Sequence, residues 1–136
     1  MTYTNTTKNI DLTADTIDVR DIIERYEALD SVKDNEGGTF SELFTPEMAV
    51  EYYFLKEILL ELAGNGGDEQ WRGDWYPLTL IRHRHFIDHV RELLEDCGTI
   101  PADLPHFVHI DWEATARDIR VDYSPIDING VTYWYR

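Results

Sequence analysis

Apolar residues recur at helical spacing from Val19 onward. Val19, Ile22, Ile23, Tyr26 and Leu29 fall on one stripe, which predicts a helix that starts at Asp18 and ends near Asp30. Asp18 suits the capping position and Asp21 the third helical position, and Ile17 with Ile22 has the spacing of a hydrophobic staple. Ser31 to Gly38 carries no such period and reads as a loop. A longer helix is predicted from Pro46 to Ala63, with Thr45 as cap, Pro46 at the first position and Gly64 as the stop. Met48, Tyr52, Leu55, Leu59 and Leu62 form its core stripe. On the opposite arc Glu47, Glu51, Glu57 and Glu61 share space with Val50, Phe54 and Ile58, so this helix is either buried on both sides or offers a partner a mixed acidic and apolar face.

Past the flexible Gly64-Asn65-Gly66-Gly67, the pattern Trp75 to Ile81 predicts a strand, and Pro77 predicts an edge position for it. A third helix is predicted over about Arg84 to Cys97. Phe86, Val90, Leu93, Leu94 and Cys97 face inward, so the thiol reads as buried; Asp88, Glu92, Glu95 and Asp96 face outward. Arg84 and Arg91 border that acidic patch and partly relieve it. Asp111 caps a short fourth helix from Trp112 to about Val121. Asn129-Gly130 predicts a two-residue hairpin turn, pairing Ile128 with Val131 and Ile126 with Tyr133 and leaving Trp134 partly exposed. The expected fold class is α+β, with about four helices and a small antiparallel sheet that includes this C-terminal Asn-Gly hairpin. Residues 1–16 read as a disordered tail, and residues 17–136 as one compact acidic domain with a sub-boundary left open at 64–70.

Charge changes the picture more than size does. The 136 residues hold 27 Asp and Glu against 12 Lys and Arg, a formal charge of −15. The excess is uneven: residues 1–69 carry 16 acids and 5 bases, residues 70–136 carry 11 and 7. Such a chain repels nucleic-acid phosphates and anionic membrane surfaces, so neither is an expected partner. The acidity serves either solubility or a basic surface on another protein. One cysteine excludes a disulfide framework and suits a cytoplasmic location, and no run of apolar residues is long enough for a membrane span.

Catalytic signals are weak. His83, His85 and His89 form the one metal-like cluster, but Arg82 and Arg84 interleave them and oppose a dication. Asp111 and Glu113 are explained by helix capping and the helix dipole. The chain has no phosphate-binding glycine loop and no nucleophile elbow. No cofactor, metal or catalytic residue is expected, and the protein does not read as an enzyme.

The segment His109-Ile110-Asp111-Trp112-Glu113-Ala114-Thr115-Ala116-Arg117-Asp118-Ile119, followed by a short strand pair, resembles the ending of ArdA-type antirestriction proteins. Phage-encoded relatives also look similar through Trp71 to Ile81 and Gly130 to Trp134. The resemblance implies an acidic, often dimeric protein that evades host defence by imitating DNA and occupying the DNA groove of a type I restriction-modification enzyme. The partner is then a basic DNA-binding surface in the host cytoplasm. The carboxylates assigned to it from charge patterning are Glu47, Glu51, Glu57, Glu61, Asp88, Glu92, Glu95 and Asp96. Two alternatives remain at this point: an inhibitor of another phage-defence nucleoprotein such as a CRISPR effector, and a non-mimic adaptor or structural protein whose Val50, Phe54 and Ile58 arc forms a homodimer seam.

Overall fold

Asp18 accepts the Arg20 backbone N–H at 2.9 Å, and from that cap the chain enters helix α1, Val19–Asn35. The five residues of its apolar stripe are buried, as is Ile17 of the staple pair. The helix runs beyond the expected end at Asp30, taking in five residues assigned to a loop. The computed structural model describes residues 10–35, 44–101 and 103–136, so the rest of that expected loop lies outside the described residues. Helix α2, Pro46–Leu62, starts as expected: the Thr45 hydroxyl accepts the Met48 N–H at 3.3 Å, and Pro46 takes the first turn.

The described chain divides into two compact units, one containing Ile17–Thr79, the other Ala14–Thr16 with Leu80–Arg136. In the first, α1 packs on α2 through an aromatic stack. Tyr26 and Tyr52 lie 4.8 Å apart, with Trp71 edge-on to Tyr26 at 5.4 Å and Phe44 edge-on to Tyr52 at 6.0 Å. The hydroxyls are chained: Tyr26 donates to Tyr52 at 3.0 Å and Tyr52 donates to Asp30 at 2.8 Å. Burial, followed by these two hydrogen bonds, raises the Tyr52 pKa far above that of free tyrosine.

The expected strand at Trp75 to Ile81 is instead two strands, β3 (Asp74–Tyr76) and β4 (Thr79–Arg82). Pro77 has no N–H to give a ladder, so the chain breaks there rather than continuing along an edge. A further strand, β2 (Asp68–Trp71), pairs antiparallel with β3 around Arg72-Gly73. Both turn residues have positive φ, 53° and 78°, which strains an arginine and suits a glycine.

The second unit is built on a sheet that reaches back to β1, Thr16–Asp18, in the order β1-β4-β6-β5. Strands β5 (Ser124–Ile128) and β6 (Val131–Tyr135) form the expected hairpin, with Ile128 opposite Val131 and Ile126 opposite Tyr133. Asn129 and Gly130 sit at φ 54° and 81°, as the turn requires. A 3₁₀ turn at His83–His85 leads into helix α3, Phe86–Asp96, and helix α4, Trp112–Arg120, begins where the Asp111 carboxylate accepts the Ala114 N–H at 3.1 Å. Ile81, Phe86, Val90 and Ala116 form one buried cluster of this unit, with Trp112, Ile119, Tyr123 and Trp134 packed around them. The described residues thus form an α+β fold with four α-helices.

Part of the expected disordered tail is ordered. The Asp15 carbonyl accepts the Arg82 N–H at 2.8 Å, the Asp15 carboxylate accepts from Arg84 Nε at 2.8 Å, and the Ala14 carbonyl accepts the Tyr133 hydroxyl at 2.8 Å. The Arg84 hydrogen bond holds the Asp15 carboxyl below its usual range. Arg84 therefore serves Asp15 rather than the acidic outer face of α3. Cys97, expected to face inward, does not. It caps the C-terminus of α3, one residue beyond the last turn, where the chain veers off at Gly98 and leaves the thiol exposed.

Candidate partner-binding surface

Helix α3 turns Phe86 and Val90 into the core, which leaves the positions on its opposite side outward. Asp88, Glu92 and Asp96 are all exposed. They stand four residues apart, so the carboxylates form a line rising about 6 Å per step along one side of the helix. Like charges at this spacing cost a few tenths of a kcal/mol per pair. Arg91 pairs with Glu95 at 3.4 Å and so spares the line, while His85 Nδ1 stands 4.0 Å from the Asp88 carboxylate at its N-terminal end. Glu95 is half-buried and held by that arginine, which sets it apart from the other three.

Helix α2 treats its four expected carboxylates unequally. Glu47, Glu57 and Glu61 are exposed. Glu51 is not a free surface acid: Arg25 Nε and one terminal nitrogen each donate to its carboxylate at 2.8 Å. Arg25 is only 2% exposed, so Glu51 neutralises a buried guanidinium and clamps α1 to α2. The arc of Val50, Phe54 and Ile58 also divides. Ile58 is buried, because α2 turns Met48, Ala49, Tyr52, Leu55, Ile58, Leu59 and Leu62 toward the core, a wider span than the expected stripe. Val50 stays 73% exposed and Phe54 half-exposed.

The expected carboxylates thus form two separate groups, one in each unit: Glu47, Glu57 and Glu61, and Asp88, Glu92 and Asp96. The charge patterning missed further exposed acids. Asp21, Glu24 and Glu27 occupy the face of α1 opposite Ile22, Ile23 and Tyr26, and Glu113 and Asp118 stand on α4. For Asp21, Glu24 and Glu27 the i, i+3 spacing was the available signal. Of the α1 set, Glu27 is engaged, accepting the Trp71 indole N–H at 2.9 Å.

The three histidines are held apart by different duties. His83 Nδ1 accepts the Trp134 indole N–H at 3.0 Å, so its proton resides on Nε2. His85 faces Asp88 at 4.0 Å, and His89 lies tilted beside the Phe86 ring at 6.0 Å. Among the described residues, no three His, Cys, Asp or Glu side chains gather as a metal site requires. No helix among them is long and apolar enough to cross a membrane.

His89 carries a pH dependence. Burial, and then His85 nearby, lower its pKa from the ordinary 6.5, with Arg136 adding to the effect and Glu92 opposing it. The unfolded chain therefore binds this proton more readily than the folded protein does. The contribution of neutral His89 to stability is complete above the ordinary imidazole value and declines as pH falls below it. In urea unfolding at about pH 7.5 and about pH 5, the native protein should lose stability relative to His89→Gln at the lower pH. Parallel pH dependences for the two proteins would overturn this assignment.

Comparison with protein-family models, with curated proteins and with solved structures found no match for this chain.

Proposed function

We propose that this protein is an anti-defence inhibitor that imitates DNA, offering fixed carboxylates to the basic DNA groove of a type I restriction-modification enzyme. The observation that carries the reading is the line of Asp88, Glu92 and Asp96 on α3, all exposed and none of them paired with Arg91. Each B-DNA strand carries a phosphate every 3.4 Å or so of helix axis, and the duplex one charge per roughly 1.7 Å. A rigid helix that repeats a carboxylate about every 6 Å offers a basic groove a fixed row of anions, sparser than a DNA strand's, without a flexible backbone. Exposed acids also stand on α1 and α2 in the first unit and on α4 in the second. The likeness of Asp111 to Ile119 to the closing helix of ArdA-type proteins supports the same target class.

Mimicry makes a quantitative demand. Counterions released from the enzyme's groove make the inhibitor's affinity fall as salt rises, in the way DNA affinity falls. The test is competition for a type I restriction-modification enzyme against labelled DNA, between about 50 and 200 mM salt. The native protein should displace DNA, with potency that declines over this range. The variant carrying Asp88→Lys, Glu92→Lys and Asp96→Lys should need at least about tenfold more protein, a change of about 1.4 kcal/mol in binding. These positions are exposed, so circular dichroism should show an unchanged fold. Full potency in the folded triple variant, or potency indifferent to salt, rules out the proposal.

A further inference from the structure

Helix α2 holds a second kind of surface. Val50 is 73% exposed, Leu60 68% and Tyr53 50%, and Phe54 is half-exposed beside them. At 100° per residue these four lie within roughly 120° of the helix circumference, and Glu57 and Glu61 lie within the same arc. Pro46, Ala49, Val50, Tyr53, Phe54 and Glu57 line a shallow depression of about 540 Å³ along it. A solvated helix does not need this arrangement, since each exposed apolar side chain is a standing penalty with no core to join.

We infer that this face docks a basic amphipathic helix of another protein. Three properties select that occupant. The apolar residues follow i, i+3, i+4 and i+10, the spacing a helix presents to a second helix laid along it. Val50 to Leu60 spans about 15 Å, the length of roughly three helical turns in the partner. Glu47, Glu57 and Glu61 stand on and beside the stripe; of the cations that the described residues bring near it, Lys56 lies with its ammonium 6.0 Å over the Tyr53 ring, and Arg72 stands at the Leu60 end, paired with Asp30 at 3.6 Å. A second copy of this chain would bring the same three carboxylates against its own, so like charge disfavours self-pairing. A partner helix with apolar anchors flanked by Lys or Arg satisfies both parts of the face. This inference rests on the mixed apolar and acidic face of α2, whereas the antirestriction reading is carried by the α3 line, and the charge reversal at Asp88, Glu92 and Asp96 leaves α2 untouched.

The experiment uses the whole chain, labelled with ¹⁵N, and synthetic helical peptides of roughly 18 residues, long enough to hold a helix. One has a Leu stripe flanked by Lys, the second the same stripe flanked by Glu. The Leu/Lys peptide should shift the backbone amides from Val50 to Glu61, and the Leu/Glu peptide should leave them in place. Joint Val50→Ser and Leu60→Ser substitution, at exposed positions that leave the core intact, should weaken Leu/Lys binding at least about tenfold. Glu57→Lys with Glu61→Lys should transfer binding to the Leu/Glu peptide. The inference is overturned if both peptides bind the native face alike, or if the double Ser variant binds unchanged. It is also overturned if sedimentation shows a dimer that Leu60→Lys dissociates, for the occupant is then a second copy.

Discussion

Replacing Phe86 with alanine is expected to destabilise the second unit by about 3–5 kcal/mol. Phe86 is fully buried, in a cluster with Ile81, Val90 and Ala116. Tyr123 meets its ring edge-on at 5.0 Å, Trp134 lies at 6.3 Å, and the Arg120 guanidinium stands 5.4 Å from its centroid. Alanine removes the ring from all of these contacts. Its neighbours cannot close the space, since Ile81 and Trp134 are fixed by pairing between β4 and β6. Arg120 also faces Trp134, at 5.3 Å, so the loss reaches α4 as well as the sheet. Phe86→Leu keeps most of the volume and should cost about 1 kcal/mol. Urea denaturation followed by near-ultraviolet circular dichroism measures both. A loss below about 1 kcal/mol for Phe86→Ala would mean that the cluster repacks freely, contrary to the packing described.

The second large effect belongs to Arg25 and Glu51. Removing the carboxylate with Glu51→Ala deprives a buried guanidinium of two charge-assisted hydrogen bonds, each 2.8 Å long. The expected cost is about 3 kcal/mol, below the top of the range for fully buried pairs because Glu51 is 32% exposed. Its partner remains almost wholly out of water, and desolvation of that charge supplies most of the loss. Arg25→Met in the same chain removes the buried guanidinium as well, so the double variant should recover part of the stability. Urea unfolding of the two single variants and the double variant closes the cycle. Additive losses would show that the two residues are not coupled, and the clamp between α1 and α2 would have to lie elsewhere.

These two sites differ in how far the amino-acid pattern announces them. Phe86 was legible: it stands in a helical stripe with Val90, and its burial follows from period alone. The caps at Asp18, Thr45 and Asp111 and the Asn129-Gly130 register were legible for the same reason, since each depends on residues within a few positions of one another. Arg25 and Glu51 are 26 positions apart, and only the packing of α1 on α2 brings them together. No local rule distinguishes Glu51 from Glu47 or Glu57. Ile58 was misplaced because period gives the centre of a buried arc but not its width, and α2 is covered more broadly than its Leu stripe demands. The hairpin at Arg72-Gly73 escaped because its first strand, Asp-Glu-Gln-Trp, has the composition of a loop and is held by pairing with β3. Of the candidate surface, the α3 carboxylates could be read from spacing, while the selection among them depends on where Arg91 reaches.

The segment Ala14–Thr16 gives the second unit an unusual timetable. Its Ala14 carbonyl accepts a hydrogen bond from Tyr133, 119 residues further along the chain. On a ribosome adding about 5–20 residues per second, Ala14 is made roughly 6 to 24 seconds before that hydroxyl exists. β4 can pair with β1 as soon as Arg82 is made, but its other edge stays open until β6 arrives. Vectorial synthesis therefore leaves this unit to be finished by its closing hairpin, and the nascent chain must stay out of trouble until the final strand arrives.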